Sequence, residues 1–258
     1  MGRLLRLRED AVSSYPVIAI DGPAGAGKST VARQLAKRLG FFLLDTGAIY
    51  RCLALFAEQQ GIGWDQGVAL AALAANLPIR FGREAEDGQV FLADLVVTGA
   101  IRTPEISLGA SQVSAHPPVR GALLGLQRRL ATMGPCVVEG RDIGTVVLPG
   151  ALLKLFLTAS SEVRAQRRFE ELTRRGVTAD REATRREQEE RDRRDETREA
   201  APLRIADDAV VVDTSELALP EVLDKVEALC RQRISAEAER SGAASSSSVV
   251  QPSEGQNR

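Results

Sequence analysis

Cysteine is scarce in this sequence, and its distribution excludes two kinds of site. Cys52, Cys136 and Cys230 are the three cysteines among 258 residues. They are odd in number and far apart, so we expect neither a disulfide framework nor a metal cluster of the CxxC type. A reducing compartment suits such a chain. Cys136 lies in an apolar run, where a small buried thiol is expected.

Long apolar runs and an excess of either charge are also missing. No apolar stretch is long enough to cross a bilayer. Lys and Arg total 34 while Asp and Glu total 35, which gives a formal net charge of −1. Proteins that coat nucleic acids or bind membrane surfaces usually carry a basic excess, so this balance argues against both kinds of partner. Because no long apolar surface stripe suggests an obligate dimer, we expect a monomer.

The two ends of the chain differ in composition from the rest. Residues 1–14 contain arginines but also Glu9 and Asp10, and they lack the apolar region of a signal peptide. Residues 234–258 drift into serine, glycine and alanine, a composition that cannot offset the entropy of ordering. We expect a cytoplasmic protein with a disordered extension over 1–14 and a disordered tail over 234–258.

Between these ends, short apolar runs alternate with helical patterns. Buried strands are predicted at 17–20, 41–44, 136–138, 152–157 and 209–212. Helices are predicted at 28–39, 48–59, 68–75, 118–131 and 220–233. This order predicts an α/β fold over residues 15–233, with a doubly wound sheet of five parallel strands. Ligands of such a sheet bind at the carboxyl ends of its strands.

Two stretches interrupt the alternation. Residues 78–100 contain short alternating runs around Asp87 and Gly88, which predicts a small β insertion with a hairpin-like turn. Residues 161–199 are dominated by arginine and glutamate, with Gly176 as an interruption. So highly charged a helical pair cannot be deep core, and we predict a solvent-facing, Arg-rich lid.

A glycine-rich motif follows the first strand and opens the first helix. It satisfies G-x-x-x-x-G-K-[ST], the P-loop pattern, whose glycines turn backbone N–H groups toward a phosphate while the helix N-terminus adds its positive end. Lys28 can reach the β- and γ-phosphates, and the Ser29 hydroxyl is placed to bind Mg²⁺. The motif consists of Gly22, Pro23, Ala24, Gly25, Ala26, Gly27, Lys28 and Ser29.

The P-loop alone does not fix the reaction. We find no Asn-Lys-x-Asp motif of the switch GTPases, and no Asp-Glu pair of the motor-type ATPases at the end of a strand. Glu139 ends the third predicted strand instead. It either orders the water shell of the metal or caps its strand, and the sequence leaves both readings open.

Polar residues follow two further strands, where substrates of this architecture bind. Asp45 and Thr46 follow the second strand, although Thr46 could simply cap the next helix. Arg51 lies near the end of that helix's first turn, and Arg141 and Asp142 follow the third strand. Two arginines that converge beside a P-loop are best interpreted as phosphate clamps.

One face of the predicted lid carries charged residues at helical spacing. Arg191, Asp195 and Arg198 are separated by four and then three residues, so they share a helix face. They either form ordinary surface ion pairs or close over the transferring phosphoryl group. A closing lid would serve phosphoryl transfer, which needs positioning, charge stabilisation and exclusion of water.

With these motifs in place, the sequence resembles the bacterial cytidylate kinases from about Val17 to Leu229. The β insertion looks like the enlarged monophosphate-binding region of that family. His116-Pro117-Pro118 replaces a segment that often carries a further arginine, and Arg194 adds a cation to the arm. The segments that carry the resemblance are IDGPAGAGKST (20–30), LDTGAIYR (44–51), IRT (101–103), SQVS (111–114), GRDIGT (140–145) and RDRRD (191–195).

The resemblance implies a P-loop nucleoside monophosphate kinase that moves the γ-phosphoryl group of ATP to CMP or dCMP, with Mg²⁺ as cofactor. Lys28, Arg141 and Arg198 would be catalytic, and the ATP-binding segment would extend through Thr30. The acceptor would be held at its phosphate by Arg51, Arg141 and Arg198, at its sugar by Arg191 and Asp195, and at its cytosine by Ser111, Arg120 and Asp142, with Thr46 nearby.

Two other functions stay open on the sequence alone. The acceptor of the same kinase fold could be AMP, UMP or shikimate. A nucleotide-binding switch that has kept its P-loop would bind ATP without passing its phosphoryl group to an acceptor. The paired lid and acceptor-side arginines argue against the switch, which needs neither.

Overall fold

The computed structural model describes residues 15–82, 86 and 88–246 of the chain. Five parallel strands form its main sheet. The predicted extension over 1–14, the end of the predicted tail at 247–258 and Asp87 of the predicted turn lie outside the described residues. The strands are β1 (Val17–Asp21), β2 (Phe42–Asp45), β6 (Cys136–Glu139), β7 (Leu153–Thr158) and β8 (Val210–Asp213). They lie side by side in the order β2-β6-β1-β7-β8.

The central strand β1 is buried on both faces, as expected of a parallel sheet covered by helices. It pairs with β6 on one side, where Val17 is opposite Cys136, and with β7 on the other, where Ile18 is opposite Leu153. Side chains along a strand alternate between faces, so Val17 and Ala19 join one hydrophobic cluster while Ile18 and Ile20 join another. The predicted doubly wound α/β fold is confirmed.

Helices cover both faces of this sheet. The helix α1 begins and ends where the sequence predicted, while α2 begins two residues earlier than predicted because Asp45 caps it through a hydrogen bond from the N–H of Ala48. The helices outside the lid are α1 (Lys28–Leu39), α2 (Thr46–Gln59), α3 (Gly67–Ala75), α4 (Pro104–Val113), α5 (Pro117–Ala131) and α8 (Leu219–Ser246).

Two features of these helices differ from the sequence prediction. The helix α4 was not predicted; Thr103 caps it and Pro104 occupies its first turn. The helix α8 continues to Ser246, so the tail predicted to be disordered from residue 234 is helical as far as that residue. The run Ala236-Glu237-Ala238-Glu239-Arg240 consists of strong helix formers, which explains the continuation.

The two interruptions of the α/β pattern form the predicted insertion and lid. The insertion is a small antiparallel sheet in the order β3-β4-β5, made of Ile79–Phe81, Val90–Leu92 and Leu95–Val96. The lid consists of α6 (Ser161–Arg174) and α7 (Arg181–Thr197), which pack against each other. In the described part of the chain, no helix combines the length and apolarity needed to span a membrane.

Candidate active site

The P-loop joins the end of β1 to the start of α1. Gly22 has φ +143°, and a Cβ atom there would lie 1.9 Å from the carbonyl oxygen of Leu157. Gly27, at φ +86°, is the N-cap of α1. Both positions therefore require glycine. The resulting turn directs the N-terminus of α1 and the first residue of that helix, Lys28, into the cleft at the carboxyl ends of the strands.

Lys28 is almost fully buried, and its Nζ donates a hydrogen bond to the carbonyl oxygen of Pro23 at 2.6 Å. Burial is the main cause that lowers the pKa of Lys28, and the positive charge of Arg141 lowers it further. A buried ammonium group beside other cations is stabilised by an anion. The P-loop is therefore an electropositive cradle suited to phosphate.

Ser29 and Glu139 connect the P-loop to β6. The Ser29 hydroxyl donates a hydrogen bond to Oε2 of Glu139 at 2.8 Å. Burial, reinforced by the nearby carboxylate of Asp45, raises the pKa of Glu139 to about 7. A bound cation would relieve both effects. Hydroxyl and carboxylate oxygens are the ligands that Mg²⁺ prefers, so the residues present fit this ion.

The start of α2 contributes a cation to the same cleft. Arg51 pairs with Oδ2 of Asp45 at 2.6 Å, while Oδ1 of Asp45 caps α2. Asp45, and not Thr46, is therefore the helix cap. Thr46 instead donates its hydroxyl hydrogen to the carbonyl oxygen of Glu139 at 2.7 Å, which ties the ends of β2 and β6 together.

The lid helix α7 brings its charged face against the end of β6. Arg141 donates through Nε to Oδ2 of Asp195 at 2.9 Å, and Arg198 lies 3.8 Å from Oδ1 of the same carboxylate. Burial alone would raise the pKa of Asp195, but Arg141, Arg191 and Arg198 together hold it below its usual value. Burial, reinforced by the positive charge of Arg141, lowers the pKa of Arg191 to about 10. Arginines this close together favour a bound anion.

A buried polar pocket adjoins these arginines. The Asp142 carboxylate pairs with Arg120 through Oδ2, and its Oδ1 lies 3.5 Å from Arg198. Arg120 also donates to the carbonyl oxygen of Ser114 at 3.3 Å, and its guanidinium lies over the Tyr50 ring. The hydroxyl oxygen of Ser111 is buried and has no hydrogen-bond partner among the described residues. Such an atom is available to a polar ligand.

All of these side chains line one cavity of about 1330 Å³. Of the predicted P-loop residues, Gly22 and Pro23 do not line it, because Gly22 packs beneath the loop against β7. The predicted residues that the structure brings together are Ala24, Gly25, Ala26, Gly27, Lys28, Ser29, Thr30, Thr46, Arg51, Ser111, Arg120, Arg141, Asp142, Arg191, Asp195 and Arg198.

Comparison with known proteins identifies the family. A family model described as "Cytidylate kinase" matches residues 18–232. The chain belongs to the cytidylate kinase family. The cytidylate kinase of Geobacter sp. (strain M21) is 47% identical over 228 residues, which cover 88% of this chain and 96% of that protein. The cytidylate kinase of Syntrophotalea carbinolica is 49% identical over 210 residues, which cover 81% of this chain and 89% of that protein.

Among solved structures, a gluconokinase from Sinorhizobium meliloti 1021 matches with a TM-score of 0.45 and 19% sequence identity. That match covers 88% of this chain and 97% of the gluconokinase. The family resemblance predicted from the sequence motifs is confirmed by the family model and the curated relatives.

The sequence assigned no definite role to several charged residues of this cytidylate kinase family site, among them Glu139, Arg102 and Arg167. Glu139 was left open, and its bond to Ser29 now places it at the candidate cation site. Arg102 lines the cavity, where Arg33 and Arg51 are close enough to help lower its pKa, which burial lowers most. Arg167 of α6 also lines it and donates to the hydroxyl and carbonyl oxygens of Thr214. Arg102 belongs to the IRT segment that carries the family resemblance, so its positive charge within that segment could have indicated a role in binding an anion.

Proposed function

We propose that this chain transfers the γ-phosphoryl group of ATP to CMP or dCMP and releases ADP with CDP or dCDP. The observation that carries the proposal is the single cavity between the P-loop and the lid. The P-loop side of the cavity presents backbone N–H groups and Lys28, which suit a triphosphate. The opposite side combines arginines with a buried polar pocket, which suits a nucleotide base. Two nucleotides bound in the cavity would meet phosphate to phosphate.

The donor is held by the P-loop. Backbone N–H groups of residues 24–29 and the N-terminus of α1 bind the phosphates, and Lys28 neutralises charge on the β- and γ-phosphates. Arg141 and Arg198 approach from the opposite side, where negative charge accumulates as the phosphoryl group moves. Because these groups are fixed before the reaction, they stabilise the transition state without having to reorganise.

We further propose Mg²⁺ as the cofactor, held at the hydroxyl of Ser29 with Glu139 beside it. The ion would neutralise part of the charge on the phosphates. Magnesium bound with phosphates keeps several waters and needs only one or two protein ligands. In the part of the chain that the structure describes, no group of three His, Cys, Asp or Glu side chains could hold a metal alone. The fit therefore depends on the nucleotide.

Asp142 and Ser111 are proposed to recognise the base. Cytosine presents an amino donor at N4, for which a carboxylate or hydroxyl oxygen is the natural acceptor. Uracil presents a carbonyl oxygen there and would repel the Asp142 carboxylate, so UMP should be the poorer acceptor. Arg120 supports this selection because its ion pair with Asp142 fixes the carboxylate in place.

Arg51, Arg141 and Arg198 are proposed to hold the acceptor phosphate, and Arg191 and Asp195 to contact the sugar hydroxyls. Two of these residues already meet in the ion pair between Arg141 and Asp195. Closure of the lid over the acceptor would exclude water, which otherwise accepts the phosphoryl group unproductively. We also expect the protein to act as a monomer in the cytoplasm. Its three free cysteines suit a reducing compartment.

The test is a coupled assay of ADP release with ATP and each of CMP, dCMP, UMP and AMP. We expect turnover with CMP and dCMP that exceeds turnover with UMP or AMP by at least about tenfold in kcat/KM. Lys28→Ala should lower the CMP rate by about 100-fold or more, while Lys37→Ala, an exposed residue of the same helix, should not. ATP binding without acceptor-dependent ADP release would refute the proposal and favour a switch.

A further inference from the structure

Both lid helices donate a hydrogen bond to one backbone atom of the P-loop, the carbonyl oxygen of Ala24. Gln188 of α7 donates to this oxygen through Nε2 at 3.1 Å, and Arg164 of α6 donates to it through Nη1 at 3.2 Å. The two lid helices therefore converge on the same acceptor, although Gln188 is 164 residues away from Ala24 along the chain.

Arg164 also joins the two lid helices to each other and to the sheet. Its Nη1 pairs with Oδ2 of Asp192 on α7, and its Nε donates to the carbonyl oxygen of Ala159, just beyond β7, at 2.9 Å. The side chains of this pair are 11% and 12% exposed, so solvent screens their attraction little. A guanidinium group suits this position because its planar fork serves several acceptors at once.

Packing around Gly25 shows how closely the loop and the lid fit. A Cβ atom at this glycine would lie 2.9 Å from Cβ of Arg164 and 3.0 Å from Nε2 of Gln188. Contacts this short leave no room for a side chain between the loop and the lid. The hydrogen bonds to Ala24 therefore form at an interface that is already shaped to hold the two segments together.

The helix α7 transmits this contact to the residues proposed to bind the acceptor. Gln188, Asp192 and Asp195 recur at four- and three-residue steps, so they lie along one face. Arg191 precedes Asp192 directly, and Asp195 lies one turn later. A shift of the helix at Gln188 and Asp192 therefore moves the guanidinium and carboxylate groups that line the cavity.

We propose that Arg164, Asp192 and Gln188 are positioning residues that set the distance between the P-loop and the lid once the lid has closed over the substrates. Arg164 and Asp192 do not line the cavity, whereas Gln188 lines it at its contact with the P-loop. Together the three residues hold α7 so that Arg191, Asp195 and Arg198 meet an acceptor placed against the phosphates that the loop binds. The proposal rests on the proposed phosphoryl transfer. Its physical basis is that catalytic groups displaced by about 1 Å lose on the order of 100-fold in rate.

The experiment compares Arg164→Lys, Asp192→Asn and Gln188→Met with the wild-type chain. Each variant is assayed for CDP formation and, separately, for hydrolysis of ATP in the presence of CMP. We expect kcat for CDP formation to fall about tenfold or more, KM for ATP and CMP to change less than about threefold, and the ratio of hydrolysis to transfer to rise. Arg164→Lys keeps the charge but loses the fork, so it should not retain wild-type kcat.

Matched controls come from the outer face of α7. Arg185 pairs with Glu182 and Glu189 in solvent. Arg185→Lys and Glu189→Gln should therefore keep the wild-type kcat and the wild-type ratio of ATP hydrolysis to phosphoryl transfer. Gln188→Met removes one hydrogen bond and no charge, so it keeps the test valid if the other variants fail to fold. Melting temperatures of all variants are measured in parallel.

Three outcomes would overturn the inference: kcat within twofold of wild type for all three variants, a rise in KM with kcat unchanged, or an equal loss of transfer and hydrolysis that follows the melting temperature. None of these outcomes would refute the proposed function, since the activity of the wild-type chain with CMP is measured first. If the wild-type chain itself does not phosphorylate CMP, the proposed function fails instead.

Discussion

Arg141 donates a hydrogen bond through Nε to Oδ2 of Asp195 at 2.9 Å, although the two residues are 54 positions apart in the chain. This bond connects the end of β6 to the last turn of the lid helix α7. The residue proposed to hold the acceptor phosphate and the residue proposed to hold its sugar are therefore a single electrostatic unit. A change in either one alters the charge available to the other.

The first prediction concerns the sugar. Asp195→Ala removes the proposed acceptor for the 2′-hydroxyl, which CMP has and dCMP lacks, and it frees Arg141 for both substrates. We expect kcat/KM to fall about 100-fold for CMP and about tenfold for dCMP. Both substrates are affected by the loss of the ion pair with Arg141, but only CMP also loses the hydrogen bond from its 2′-hydroxyl to the carboxylate. Steady-state kinetics with both acceptors measures the ratio. Glu196→Ala, at an exposed neighbouring position, is the control, and an equal loss for both acceptors would contradict the assignment.

The second prediction concerns the base. Asp142→Ala should mainly weaken CMP binding and narrow the gap between CMP and UMP, by about tenfold in the ratio of kcat/KM values. Arg120 and Arg198 lose a partner in this variant, so some stability is lost as well. The ratio of the kcat/KM values for CMP and UMP is insensitive to this loss of stability, since both acceptors are assayed with the same protein. An unchanged preference for CMP would remove Asp142 from base recognition.

The central sheet and the P-loop were predictable because their signals are local. Each of the five strands is a short, largely apolar run, and Lys28–Leu39 combines a helical period with glycines before and after it. The strand β8 was predicted to be buried but is only partly so, because it lies at the edge of the sheet, where Val211 is exposed. The helix Pro104–Val113 was missed, although Thr103 before Pro104 is a recognisable start signal. Its sequence contains serines and a glycine, which weakened the helical pattern.

Contacts between distant segments could not be predicted in the same way. Ser29 meets Glu139 because β6 pairs with β1, an order that no local pattern encodes. The same limit applies to Arg164 and Ala24, which meet only because the lid folds back over the loop. The sequence motifs named the residues of the site, whereas their pairing depends on the sheet order and the lid.

The third prediction concerns the metal. Ser29→Ala should raise the Mg²⁺ concentration needed for half-maximal activity by about tenfold, since removing a ligand, or a group that orients one, typically costs at least that much in metal affinity. Ser29→Thr keeps the hydroxyl and is the matched control. Titration of CDP formation against Mg²⁺, after removal of metal with a chelator, measures the change. An identical Mg²⁺ requirement in Ser29→Ala would exclude this hydroxyl as a ligand.

The fourth prediction follows from the buried carboxylate of Asp21, which ends β1. It accepts hydrogen bonds from the N–H groups of Ile143 at 2.9 Å and Gly144 at 2.7 Å, and so fixes the turn after Asp142. Burial raises its pKa from 3.8 to about 6, an effect that the two N–H groups oppose and the charge of Asp142 reinforces. The folded chain therefore keeps a proton on Asp21 at pH 5 that the unfolded chain has already released.

The sign of the effect on stability follows from this difference in bound protons. Because the folded state binds more protons between about pH 4 and pH 6, the contribution of Asp21 to the free energy of unfolding falls as the pH rises through that window. Between pH 5 and pH 7 it should fall by about 1 kcal/mol. Urea unfolding is measured for the wild-type chain and for Asp21→Asn, whose asparagine does not titrate. The difference between their free energies of unfolding isolates the contribution of Asp21, since the contributions of the other groups cancel. A difference between the two proteins that stays constant from pH 5 to pH 7 would show that Asp21 is already ionised at pH 5, and the burial of its charge would then be compensated by the N–H groups of the turn.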